Sequence, residues 1–163
     1  YNIKKDHDEV TLEEEIRLVD NYIYILNVRF SGEIHFEKKV DESLLGGHIP
    51  SMLLQPIVEN SVNYGIRNID WEGRIVLSVY REEEKVCISI KDNGVGMTEE
   101  RIAQVMQNCI SHQEDTGDSN GVGLNNVMER LHLFFDGAEE FVMMSEGPGR
   151  GTEVVIRIPY LKM

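Results

Sequence analysis

Asp92-Asn-Gly-Val-Gly-Met97 and, further on, Gly121-Val-Gly-Leu124 decide how this chain is read. The first closes an apolar run at residues 85–91, so a carboxylate stands at a strand end with two glycines behind it. Glycine reaches positive φ and lets backbone come close to a ligand. The second opens a helical pattern, where free N–H groups and the dipole favour phosphate. A carboxylate at a strand end can accept from an exocyclic amine such as adenine N6, and a helix start can hold phosphates. Taken singly, Asp-Asn-Gly is an ordinary turn signal and a glycine pair ordinary punctuation. Their order along the chain carries the argument.

Residues 51–66, upstream, read as a helix, with Pro50 at its start and Pro56 marking either a kink or the true first turn. At about 100° per residue, Leu54, Ile57, Val58, Ser61 and Val62 fall on a face suited to packing on a sheet. Glu59, Asn60, Asn63, Tyr64 and Arg67 fall on the other. An amide oxygen can bind Mg²⁺, which keeps most of its waters and takes few protein ligands. Arg67 can meet phosphate. The bland alternative for this face is contact with water alone. Downstream, Gly149-Arg-Gly-Thr152 suits either the floor of a base pocket or a hairpin turn.

The remaining segments supply the scaffold. Thr11-Leu-Glu-Glu14 fits a capping box opening a helix to about residue 30. Its stripe is Leu12, Ile16, Val19, Ile23 and Leu26, broadened by Leu18, Tyr22 and Ile25. That spacing also fits a short coiled-coil seam, but barely three heptads are present, so packing on the domain core is favoured. Strands are expected at 34–40, 74–80, 85–91, 141–145 and 152–159, the second and third around a charged hairpin, Arg81-Glu-Glu-Glu84. Thr98 caps a helix to about residue 107, and residues 109–120 read as a mobile loop. A helix then runs from the 121–123 glycines to about 135. Helices bunched between strand pairs indicate an α+β fold, a sheet covered on one face by helices.

The 163 residues suit one domain with its own core. Apolar residues at 41% and charged ones at 28% are ordinary for a soluble globular protein, and no apolar run approaches a bilayer span of about 20 residues. Net charge is −13, which speaks against nucleic acid. It also means that a polyanion such as ATP must be held by a divalent cation, backbone N–H groups and a few local cations. Cys87 and Cys109 lack metal-ligand spacing and read as reduced thiols of an intracellular protein.

Four stretches together resemble one family. Leu53-Leu-Gln-Pro-Ile-Val-Glu-Asn60, Asp92-Asn-Gly-Val-Gly-Met97, Gly121-Val-Gly-Leu-Asn-Asn-Val-Met-Glu-Arg-Leu131 and Gly149-Arg-Gly-Thr152 look like the N box and glycine boxes of sensor histidine kinases, within the GHKL group of ATP-binding folds. The Gln-Pro-x-Val-Glu-Asn form and Val28-Arg-Phe30 are most similar to its YesM/LytS-like subgroup. The resemblance covers about residues 11–160. It implies a two-layer α/β sandwich with a mixed sheet, with residues 1–10 as a leader from an upstream region. Residues 11–163 would form the catalytic domain, with a lid at about 97–122.

The same resemblance implies roles. Asn60 would coordinate Mg²⁺ on the ATP phosphates, with Glu59 beside it as the second candidate catalytic residue. Asp92 would bond the adenine amine, and Gly94, Gly96 and Met97 would border the base. Gly121, Val122, Gly123 and Leu124 would form the lid hinge and phosphate cradle, and Thr152 would help fix Asp92. Asn63 and Tyr64 stand where the subgroup has Lys-His; Tyr64 matches other histidine kinases, and Arg67 is the substitute cation. His7, His35, His48, His112 and His132 lie in no context resembling the family's acceptor motif. The implied partners are therefore a dimerisation and phospho-acceptor domain of the same receptor and a response regulator. Membrane contact would come only through upstream sequence, leaving this portion cytoplasmic. A GHKL ATPase would carry a general-base glutamate where Pro56 stands, which argues against hydrolysis as the main activity. A non-catalytic nucleotide-sensing domain is the third reading.

Overall fold

A computed structural model describes residues 9–29, 33–111 and 120–160. Residues 1–8 of the expected leader, Phe30 and residues 112–119 of the expected loop lie outside these.

The fold opens with a three-residue strand, β1 (Glu9–Thr11), that runs straight into helix α1 (Leu12–Arg29). The capping box is present: Thr11 N–H donates to Glu14 Oε1 at 3.1 Å, and Glu14 N–H donates to Thr11 Oγ1 at 3.2 Å. Leu12, Ile16, Val19 and Ile23 are buried, with Leu26 and Tyr22 packed at their margin. Leu18 and Ile25 do not broaden this stripe; both face solvent.

Strand β2 (Ile34–Val40) follows as expected, then a 3₁₀ turn at Glu42–Leu44 capped by the Asp41 side chain. Pro50 does not begin a helix. It ends a short strand, β3 (His48–Pro50), antiparallel to β1. Three-residue strands carry no readable period, and proline is tolerated where its missing N–H leaves no ladder bond unmade.

Helix α2 starts at Leu54 and is α-helical to Asn60, then continues as a π-helix over Ser61–Ile66. Pro56 therefore sits in the true first turn, where its missing N–H leaves no intrahelical bond unmade. The orphan N–H groups of that turn are met from α1. The Glu15 carboxylate accepts from the N–H groups of Met52, Leu53 and Leu54 at 3.1, 2.9 and 3.0 Å.

β4 (Gly73–Glu82) and β5 (Lys85–Asp92) form a hairpin tighter than expected. Arg81 and Glu82 remain in the strand, and the turn is Glu83-Glu84 with Glu83 at φ 57°. Helix α3 (Glu99–Ser111) is capped by Thr98, whose Oγ1 accepts from Arg101 N–H at 3.1 Å. It runs four residues past the expected end, so residues 109–111, read as loop, are helical. Helix α4 (Asn120–Phe135), β6 (Glu140–Met144) and β7 (Thr152–Pro159) complete the fold.

The five-stranded sheet has the order β2-β4-β5-β7-β6; β2 pairs with β4 in parallel and every other pair is antiparallel. On β4, β5 and β7 the alternate residues Ile75, Leu77, Val79, Val86, Ile88, Ile90, Val154, Ile156 and Ile158 are buried in one cluster with the inward faces of the helices. Period-two burial against helical stripes is what a half-covered sheet requires. The result is the α+β, two-layer sandwich with a mixed sheet.

Candidate nucleotide site

The site is built where the β5 end, the π-helical turn of α2 and the loop before β7 meet. Asp92 is 4% exposed although it is ionisable. Its Oδ1 accepts from Gly94 N–H at 2.8 Å and from Thr152 N–H at 3.2 Å, and the Ser61 hydroxyl also bonds the carboxylate. Burial pushes its pKa above the usual carboxylate range, and these three hydrogen bonds pull it partly back.

The glycines here make room for the chain itself. A Cβ on Gly94 would lie 2.2 Å from the Gly65 carbonyl oxygen, which accepts from Val95 N–H at 2.9 Å. Gly96, at φ 70°, would meet the Gly147 carbonyl oxygen at 2.2 Å. So the turn after Asp92 is clamped between α2 and the 145–151 loop. Met97 belongs to this clamp: its N–H donates to Ser145 Oγ at 3.1 Å. The same hydroxyl donates to the Gly151 carbonyl at 2.5 Å.

The other expected residues divide into two groups. Asn60 immediately precedes Ser61, so its amide lies about 100° round the helix from the position touching Asp92. It is half-buried, and its side chain has no hydrogen-bond partner among the described residues. Asn63 and Tyr64 are exposed on the same turn. Of Gly121 and Val122 the helical backbone of α4 is described; Gly123 has open space where a Cβ would stand, and Leu124 is fully buried. Glu59 and Arg67 turn toward α1 instead. Glu59 Oε2 accepts from Gln55 Nε2 at 3.1 Å, and the charges of Glu59 and Arg67 act in opposite directions on the half-buried Tyr22 hydroxyl. Burial, more than either charge, raises the Tyr22 pKa. Arg67 also lines a cleft of about 360 Å³ with Leu26, Ile34, Trp71 and Glu72, which neither Asn60 nor Asp92 borders.

Sequence reading missed Ser61 as a partner of Asp92, having placed it on the sheet-packing face. It also missed Gly65 and Ser145. Gly65 carried a signal, since a glycine inside a helical pattern weakens it and calls for a packing reason. Ser145 and the π-helical turn carried none.

Among the described residues no group of three or more His, Cys, Asp or Glu side chains could hold a metal ion. A cation here would rest on few protein ligands, and the unpartnered Asn60 amide fits such a hard, water-retaining ion. The buried, hydrogen-bonded Asp92 carboxylate fits an amine-bearing base.

The family described as histidine kinase-, DNA gyrase B-, and HSP90-like ATPase matches residues 50–162. The chain is 32% identical over 158 residues to the sensor histidine kinase YesM of Bacillus subtilis, covering 97% of this chain and 25% of that protein. It is 31% identical over 160 residues to the sensor histidine kinase YpdA of Escherichia coli, covering 98% of this chain and 26% of that one. It thus spans about a quarter of the length of these curated relatives. Among solved structures, the catalytic domain of the histidine kinase ThkA superposes with a TM-score of 0.67 at 18% identity, over 93% of this chain and 95% of that one. The chain belongs to the histidine kinase-, DNA gyrase B- and HSP90-like ATPases, and its fold is that of a histidine kinase catalytic domain.

Proposed function

We propose that this chain is the ATP-binding catalytic domain of a two-component sensor histidine kinase, working in the cytoplasm on a histidine held outside these residues. The observation that carries the reading is the Asp92 carboxylate, buried yet ionisable, fixed by Gly94, Thr152 and Ser61 beside the helix that bears Asn60. A carboxylate buried against its own desolvation cost, at the mouth of a family nucleotide fold, is retained for what it binds.

In this reading Asp92 accepts from the adenine amine, while Gly94, Gly96 and Met97 border the base. Asn60 would hold a Mg²⁺ ion, which would supply charge neutralisation for the phosphates. Asn63 and Tyr64, exposed on the same turn, line the phosphate end. The first turn of α4, Gly121 to Leu124, offers N–H groups to the phosphates, and residues about 97–122 act as a lid that closes over them. Glu59 lies next to Asn60 and would be the carboxylate for the incoming imidazole once it leaves the Gln55 amide and the α1 side. Arg67, the substitute cation for phosphate, sits where its charge also reaches the Tyr22 hydroxyl of α1.

The acceptor lies elsewhere. Each described histidine already meets a carboxylate: His35 with Glu72, His48 with Glu9, His132 with Glu139. Partners are thus the phospho-acceptor domain of the receptor and, downstream, a response regulator. No described helix is long and apolar enough to cross a membrane, so any membrane link comes from other parts of the receptor. Hydrolysis as the main activity is disfavoured by Pro56, which occupies the position one turn before Asn60 where an ATPase would hold its base.

The test mixes this domain with Mg-ATP and the histidine-bearing helices of its own receptor. Acid-labile, base-stable label on histidine is expected, and Asn60→Asp abolishes it. Tight ATP binding without label would replace the kinase by a nucleotide sensor, and vigorous phosphate release without label would replace it by an ATPase.

A further inference from the structure

We propose, resting on the nucleotide reading above, that Trp71 is a positioning residue for adenine recognition and acts on Asp92 through the peptide plane between Asn93 and Gly94. That plane carries a hydrogen bond at each edge. Its carbonyl, belonging to Asn93, accepts from the Trp71 indole Nε1–H at 2.7 Å. Its N–H, belonging to Gly94, donates to Asp92 Oδ1 at 2.8 Å. A peptide unit is planar and stiff, so whatever fixes the carbonyl fixes the N–H with it. The indole and the carboxylate thus stand at the two ends of one lever, and hydrogen bonds in such a chain polarise one another.

The lever sits where regular structure runs out. β5 ends at Asp92, so its ladder to β4 stops at the residue whose side chain has to be placed. Asn93 continues the tie by other means. Its N–H donates to the Arg74 carbonyl at 3.2 Å, its Oδ1 accepts from Arg74 N–H at 2.8 Å, and its Nδ2 donates to the Glu72 carbonyl at 2.8 Å. These bonds hold residue 93 to the start of β4 but leave the carbonyl of the 93–94 plane to the indole. Trp71 is 44% exposed, so water could satisfy its N–H, yet the group is committed to this carbonyl. The carboxylate has little slack toward α2, since a Cβ on Gly65 would lie 3.1 Å from Asp92 Oδ1. A rotation of the plane therefore displaces the acceptor that adenine has to meet.

Competition binding of the whole chain with Mg-ATP and with Mg-inosine triphosphate tests this, because inosine carries a carbonyl where adenine has its amine. Trp71→Phe keeps an aromatic ring and removes the donor. It should weaken ATP about fivefold, the worth of one neutral hydrogen bond, and leave inosine triphosphate unchanged. Asn93→Ala, which loses the side-chain bonds to Glu72 and Arg74, should act in the same sense, with circular dichroism showing both variants folded. In an Asp92→Asn background Trp71→Phe should cost nothing further, since no carboxylate is left to place. An equal loss for both nucleotides would make Trp71 a staple of the fold and overturn the proposal. So would an unchanged ATP affinity in Trp71→Phe, or the same loss added on top of Asp92→Asn. A parent chain that binds no ATP would sink the nucleotide reading and this proposal with it, which tells the two failures apart.

Discussion

Burial lifts the Asp92 pKa above its unfolded value, and the sign of that shift has a consequence for stability. A carboxyl with a raised folded pKa adds stability only in its protonated form. That contribution is full below the unfolded pKa and is lost as pH rises through the folded one. Above that raised pKa the ionised Asp92 therefore weakens the fold. Asp92→Asn keeps an Oδ1 for the N–H groups of Gly94 and Thr152 but cannot be a carboxylate acceptor for an amine. ATP affinity should fall about 10–100-fold, the worth of a hydrogen bond to a charged group. Thermal stability at pH 7 should be equal or higher. In the parent protein, ATP affinity should decline as pH drops into the raised range, above the ordinary aspartate value of about 3.9. Calorimetric titration across pH checks both, and the Asn variant should show no such dependence.

At the scale of elements, α1 and α2 are joined by one carboxylate. Glu15 is 1% exposed and satisfies three N–H groups at the α2 start. Glu15→Ala leaves these donors without an acceptor and should lower stability by about 3 kcal/mol or more, read by denaturant unfolding. Glu15→Gln, which keeps one acceptor oxygen, should lose roughly half as much. Nothing in the sequence announced this contact, because residues 15 and 52–54 meet only in the folded chain. The same holds for β1 and β3, whose pairing brings residues 9–11 to 48–50. By contrast, the alternation Ile75-Leu77-Val79, Val86-Ile88-Ile90 and Val154-Ile156-Ile158 was legible, since local period alone states which side faces the core. The capping box at Thr11 and Glu14 was legible for the same reason: both partners lie within one turn. In the candidate site, Asp92 and Thr152 could be read from motif, but their mutual hydrogen bond spans 60 positions. The role of Ser61 was hidden because a small hydroxyl on a buried face looks like packing.

For the whole molecule, a charge of −13 sets the terms on which a triphosphate can arrive. The field of the chain repels free ATP, so in the proposed reading a divalent cation would serve through its charge as much as through its geometry. Removing Mg²⁺ with chelator should reduce ATP affinity by at least about tenfold at low ionic strength, where the Debye length is long. Added salt should recover part of the loss. Titration of a fluorescent ATP analogue with and without chelator is the measurement.

The passage from β3 into α2 holds more than its few residues suggest. Arg130 of α4 donates through Nε to the Ser51 carbonyl at 2.8 Å and through a terminal nitrogen to Ser51 Oγ at 2.7 Å. The next residue, Met52, stands at φ 57° without being glycine, and its N–H belongs to Glu15 of α1. Three helices are thus bolted to one short coupling. Any displacement of α4 would therefore load Ser51 first, and through the neighbouring bond from Met52 N–H to Glu15 it would reach α1 without crossing the five-stranded sheet.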